Sequence, residues 1–163
     1  METGDLRREA ARLISAQLWF ALGTVDQSAV PSVSYVPFAP VDGAFGMVVS
    51  RLAAHTVNLL ARRRASVLLV DDDVQQRDAY ARARFSIGVA ASPHAPESAK
   101  ADAIWSALEA RQGATVRTLR ALPDFQAISL EPVSGRLVLG FASAHDLSAA
   151  AIVELLRAMV KEA

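Results

Sequence analysis

Apolar and polar positions along the chain follow two different periods, which predicts helices interspersed with short strands. Over residues 5–16 the apolar side chains Leu6, Ala10, Leu13 and Ile14 fall on one face of a helix. The period then shortens to two, and each apolar run ends at turn-forming residues. These runs predict an antiparallel meander of three strands over residues 17–25, 30–38 and 45–50.

The rest of the chain continues this mixture. Helical periodicity covers residues 52–64, 96–112, 115–122 and 147–160, with Gly113 after the second helix and Asp146 or Ser148 available to cap the last. Strand-like runs cover residues 66–70, 85–91, 125–130 and 136–141, the last two joined across a turn at 131–135, and residues 71–82 read as a polar loop. Hairpin-connected strands with inserted helices predict an α+β fold with an antiparallel barrel of about six or seven strands.

Composition narrows the class of protein without naming a function. The 163 residues carry 17 basic and 17 acidic side chains, so no net charge attracts the chain to nucleic acid. The apolar runs are too short to span a membrane, and the charged start differs from a signal peptide. We therefore expect one domain over 1–163, cytoplasmic, with a small-molecule substrate and neither nucleic acid nor membrane as partner.

The local pattern around Ser50 is typical of an anion site. A strand ends at Ser50-Arg51 and a helix begins near Leu52, so unpaired backbone N–H groups and the helix dipole would favour an anion there. Arg51 adds a guanidinium, and Ser50 or Thr56 adds a hydroxyl. The alternative is that Ser50 caps the helix and Arg51 is a solvated surface residue.

Several motifs then occur in an order that resembles a known family. They read W-F-A-L-G-T-V-D, S-Y-V-P-F-A-P, S-R-L-A-A-H-T-V-N-L, A-S-V-L-L-V, A-R-F-S-I-G-V-A, L-P-D-F and G-F, and they extend over almost the whole chain. This order is similar to that of the pyridoxamine-phosphate-oxidase-like split-barrel flavoproteins, and most similar to their haem-utilisation branch. The resemblance implies an FMN-binding split β-barrel with flanking helices, assembled as a homodimer.

The resemblance also implies a set of cofactor-binding residues. The FMN phosphate would lie at Ser50, Arg51 and Leu52, with His55 and Thr56 beside it. The edge of the isoalloxazine ring would lie along the strand of Ser34, Tyr35, Val36 and Pro37, where backbone groups can meet its polar rim. Arg84 and Ser86 would contact the ring or the ribityl chain. Leu52 stands where many relatives have lysine, and Gly88 where they have Gln or Glu, so FMN affinity is expected to be weaker.

Two functions follow from this resemblance. The first is an FMN-dependent oxidoreductase, similar to a flavin reductase, in which the flavin carries the electrons and no side chain is assigned as catalytic. The alternative is a haem-binding or haem-degrading protein on the same barrel, with His145 as candidate iron ligand. The three histidines lack zinc-site spacing, so no other metal site is expected.

Overall fold

The computed structural model describes residues 3–72 and 78–161, and its central feature is a curled antiparallel sheet. The described residues form eight strands and five helices. The strands are β1 (Trp19–Val25), β2 (Pro31–Pro37), β3 (Ala39–Val41), β4 (Ala44–Ser50), β5 (Arg64–Val70), β6 (Arg84–Pro93), β7 (Phe125–Gly140) and β8 (Ser143–Ser148). The helices are α1 (Thr3–Ala16), α2 (Ala54–Arg62), α3 (Ala99–Gln112), α4 (Thr115–Arg120) and α5 (Ala149–Lys161).

Strand pairing gives the sheet its split-barrel form. The order is β2-β1-β5-β6-β7-β4-β3, every pair is antiparallel, and β8 adds to β7 outside this path. The predicted α+β split barrel with flanking helices is therefore confirmed, with eight strands in place of six or seven. Among the described residues, none of the helices is long and apolar enough to cross a membrane.

Alternating burial along the strands gives the sheet an inner and an outer face. In β6, Phe85, Ile87 and Val89 are buried, whereas Ser86 between them is exposed. The inner face carries the main core, in which the rings of Phe20, Phe38 and Phe45 pack with centroids 4.9–6.0 Å apart. Helices α1, α2 and α5 contact this sheet, and a second apolar cluster lies beneath α3 and α4.

The long strand β7 corrects the predicted turn at residues 131–135. Glu-Pro-Val-Ser-Gly reads as a turn, yet β7 runs without interruption for 16 residues. Gly88 pairs with Ser134 and Val89 pairs with Pro132, so Val133 is the extra residue of a β-bulge. A bulge tolerates proline because the ladder is already disrupted there.

Several helix boundaries also differ from the sequence-based expectation. Helix α2 covers Ala54–Arg62 instead of 52–64, and α3 begins at Ala99 because Ser98 accepts a hydrogen bond from the Ala101 N–H. Residues 143–148 form β8, so α5 begins at Ala149, with Ser148 as its cap. The predicted loop 71–82 contains residues 73–77, which lie outside the described residues.

Helix α2 passes directly into β5. Arg63 takes a left-handed conformation (φ 56°), and Arg64 already belongs to the strand. The Arg63 N–H donates to the Leu59 carbonyl at 2.9 Å, and its own carbonyl accepts from the Ala91 N–H at 2.9 Å. The junction therefore holds α2 against β5 and β6 without a linker.

Candidate functional site

The region before α2 is organised by contacts with a distant segment of the chain. Ser50 ends β4, and its hydroxyl donates to the Asp124 carboxylate and accepts from the Leu52 N–H at 3.1 Å. Ala53, not Ser50, is the N-cap of α2, and it provides no side-chain cap. The interpretation of Ser50 as a helix cap is therefore wrong.

Arg51 is bound to the same distant segment. Its backbone N–H donates to the Asp124 carbonyl at 2.8 Å, and its guanidinium Nη2 donates to the Pro123 carbonyl at 2.6 Å. The side chain is otherwise exposed. Arg51 is thus held in place, with further N–H donors available for an anionic group.

These contacts change what the predicted anion site can do. The Asp124 carboxylate hydrogen-bonds to the hydroxyl that was expected to face a phosphate. A phosphate at Ser50 would have to displace that bond and approach a negative charge. Arg51 remains suited to an anion, whereas Ser50 in this arrangement is not.

His55 is the best-positioned titratable group near α2. It lies in the first turn of the helix, half-buried, with its Nδ1 3.1 Å from the Ser34 hydroxyl on β2. Burial lowers the pKa of His55 from its ordinary value of 6.5, because the charged form loses hydration. The imidazole is therefore neutral at pH 7, as metal ligation requires.

A buried polar network under α2 was missed by sequence reasoning. Asn58 is buried, and its Nδ2 donates to the Thr24 hydroxyl at 3.1 Å, which lies 3.0 Å from the Ser32 hydroxyl. The neighbouring Thr56 is fully buried, and its Oγ1 has no partner among the described residues. A single Asn within an apolar helix was the available signal, since buried amides are normally paired. The network holds α2 against the β1–β2 hairpin.

The other predicted cofactor residues divide between the two faces of the sheet. Ser34 faces α2 and Val36 faces the core, whereas Tyr35 and Pro37 point outward. Tyr35 packs on Trp19 with ring centroids 4.5 Å apart. Because successive side chains point to opposite faces, one ligand could contact all four residues only through their backbone groups.

Arg84 and Ser86 lie on the outer face, across the sheet from Tyr35. The pairs Tyr35–Ala21, Ala21–Leu68 and Leu68–Ser86 align in one row. Three strand spacings separate Tyr35 from Ser86, which is about 14 Å. Ser86 borders an outer-face cavity of about 350 Å³ that Gly88 also lines, and a Cβ at Gly88 would lie 3.0 Å from the Ser134 hydroxyl.

The remaining histidines lie elsewhere. His145 is on β8, not at a helix start, and its Nε2 is 3.1 Å from the Ser143 hydroxyl. The Nε2 of His94 is 2.7 Å from the Ser129 hydroxyl, beside a cavity of about 390 Å³ that Ser129 helps to line. Within residues 3–72 and 78–161, no group of three His, Asp or Glu side chains forms a metal site.

The comparison with protein families identifies the fold family. The pyridoxamine 5'-phosphate oxidase model matches residues 6–139, most of the chain. The chain belongs to this family. The predicted relationship to pyridoxamine-phosphate-oxidase-like split barrels is therefore confirmed.

Several proteins that are similar to this chain are described as haem proteins. Haem oxygenase HutZ of Vibrio cholerae is 27% identical over 151 residues, which cover 93% of this chain and 86% of HutZ. A solved structure of V. cholerae HutZ, described as a haem storage protein, aligns with a TM-score of 0.73 and 26% identity over 78% of this chain and 89% of that one. The haem-binding protein of Mycobacterium smegmatis gives a TM-score of 0.82 at 23% identity, and covers 91% of this chain. This chain spans 60% of the M. smegmatis protein, and that likeness bears on the fold alone.

Proposed function

We propose that this chain binds haem and acts in haem utilisation, the alternative that the sequence analysis left open. The observation that carries the proposal is the similarity to HutZ along 93% of the chain, which extends beyond a shared fold. The motif order favoured the same branch of the family. FMN-dependent redox chemistry is the second candidate.

The residues at the start of α2 are chemically suited to haem. His55 supplies a neutral imidazole, Arg51 a cation for a propionate, and Leu52 an apolar side chain that is 85% exposed. Bound haem would supply an iron centre for oxygen chemistry, while the chain's own residues would set its axial ligand and pair its charges.

Titration of haemin into the purified protein tests this proposal. We expect a Soret band distinct from that of free haemin, saturating at one haem per chain. Mass spectrometry of the protein as isolated would identify any ligand that co-purifies. A spectrum that stays identical to free haemin in buffer at all ratios would refute haem binding.

Two observations favour FMN binding. The chain belongs to the pyridoxamine 5'-phosphate oxidase family, and the N-cap residue of α2, Ala53, provides no side-chain cap, so the first N–H groups of the helix remain available to a phosphate. FMN titration followed by quenching of flavin fluorescence tests it. If FMN binds through Arg51, Arg51→Ala should weaken binding by about 1.5–3 kcal/mol, as for a lost charge-assisted hydrogen bond. Arg117→Ala is the control, because Arg117 is an exposed arginine on α4.

We also propose that the chain forms a homodimer through the outer face of the sheet. Trp19, Val33, Tyr35, Leu68 and Val70 are exposed there, including Val33 at 76% and Tyr35 at 63%. Strand β2 is an edge strand, so part of its backbone is also unpaired. A second copy would cover both features.

A further inference from the structure

The three histidines of the chain differ in which ring nitrogen is already engaged. His94 and His145 each use Nε2, toward the hydroxyls of Ser129 and Ser143. His55 uses Nδ1, toward the Ser34 hydroxyl, and its Nε2 makes no hydrogen bond within the described residues. Nε2 is the nitrogen that a large planar macrocycle reaches most easily, since Nδ1 lies next to Cβ and the main chain. Among the described residues, His55 is the one histidine whose Nε2 makes no hydrogen bond.

The Nε2 atom of His55 is not completely buried. The ring is half-buried, and Nε2 is not among the fully buried polar atoms that lack a partner in the described residues. The contact with Ser34 places the ring between α2 and edge strand β2. A ligand would therefore reach Nε2 at the side of α2 next to β2.

Ser34 holds the ring in the orientation that ligation needs. Histidines that bind metals usually hydrogen-bond through their other nitrogen, which fixes the ring and its tautomer. Ser34 is fixed in turn by its pairing with Leu22, and α2 is held by the bond from Asn58 to Thr24. The imidazole is thus oriented before any ligand binds.

We propose that His55 is the axial ligand of haem iron in this chain, through Nε2, and that Ser34 positions it. This inference rests on the proposed function. It differs from the sequence-based prediction, in which His145 is the ligand. His145 stays a prediction, and the experiment below separates the two.

Haemin titration of five proteins tests the assignment: wild type, His55→Ala, His145→Ala, His94→Ala and Ser34→Ala. We expect His55→Ala to weaken haem binding by roughly a hundredfold and to lose the iron–histidine stretching band in resonance Raman spectra of the ferrous form. Added imidazole should restore that band, because it fills the space that the side chain leaves. His94→Ala is the control and should bind as wild type does.

Ser34→Ala should differ from His55→Ala in its Raman spectrum, because Ser34 contacts the His55 ring and does not itself bind iron. We expect the iron–histidine band to shift and affinity to fall by about tenfold, with Ser34→Thr restoring both. Circular dichroism should show the same thermal unfolding for all five proteins. If His55→Ala unfolds, His55→Gln replaces it in the titration.

Two results would overturn the assignment. One is haem binding to His55→Ala with wild-type affinity and an unchanged iron–histidine band. The other is loss of that band in His145→Ala alone. Either result leaves haem binding itself intact, whereas absence of a bound Soret band in wild type refutes the proposed function.

Discussion

At the scale of single residues, two half-buried histidines make stability depend on pH. Burial lowers the pKa of His55, and it lowers the pKa of His94 together with the nearby Lys100 charge, which outweighs Glu131. The unfolded chain then binds protons at a higher pH than the folded chain does. The contribution of these two histidines to the free energy of unfolding is therefore fully present above pH 6.5, the ordinary pKa of histidine. It is lost as the pH decreases below that value.

The expected result is a decrease in the free energy of unfolding below pH 6.5 in wild type and a flatter profile in the double variant His55→Gln, His94→Gln. Urea unfolding at several pH values between about 8 and 5 measures it. The same slope in both proteins would mean that other groups determine the profile. Because wild type and the double variant are compared at the same pH, the contribution of the carboxylates that both proteins share cancels.

At the scale of elements, the packing of α5 on the sheet depends on Gly135 in β7. A Cβ at Gly135 would lie 2.6 Å from Ile152 Cδ1 and 2.8 Å from Phe85 Cε2, both fully buried side chains. Gly135→Ala is therefore expected to destabilise the protein by about 1–3 kcal/mol, the usual cost of overpacking. Chemical denaturation measures this change.

Gly23→Ala is the matched control for Gly135→Ala. Gly23 is also within a strand, but a Cβ there would come no closer than 3.6 Å to other atoms, at the Ser66 carbonyl. We expect a small effect at Gly23. Equal loss at both positions would show that strand propensity, not the contact with α5, decides the result.

Gly135 also shows where sequence reasoning about elements reaches its limit. Helices α1, α2 and α5 and most strands were predicted because their apolar periods are strong, whereas α3 was predicted from the residues at its two ends. The segment 131–135 carries Pro and Gly, which suit a turn, but here they serve a bulge and a close helix contact. Strand β8 was missed because, of its six residues, only Leu147 is buried, so no alternation was visible.

For the candidate site, the sequence could indicate residue types but not their partners. Ser34 and His55 were both predicted near the cofactor, and the structure brings them into contact. The bond between Ser50 and Asp124 joins residues 74 positions apart, and local pattern carries no information about such pairs. The division of residues 34–37 between two faces was predictable from strand alternation.

At the scale of the whole molecule, we expect a homodimer of about 35 kDa, twice the 17.4 kDa chain. Light scattering at micromolar concentration measures the mass. Val33→Glu places a charge in the exposed apolar surface of the outer face and should yield monomers. Val160→Glu, on α5 and 47% exposed, is the control and should remain dimeric. A wild-type mass near 17 kDa would contradict the prediction.

Because α2 passes directly into β5 at Arg63, the position of the helix and the position of the strand depend on each other. A linker would absorb a change in the tilt of α2, but here the next residue is already hydrogen-bonded in the sheet, and the Arg63 carbonyl is tied to β6. A shift of α2 at His55 would therefore also displace β5. That strand carries Leu68 in the outer-face row between Ala21 and Ser86. If His55 binds the proposed ligand, a shift of α2 on binding would therefore also move the surface that a second subunit would occupy.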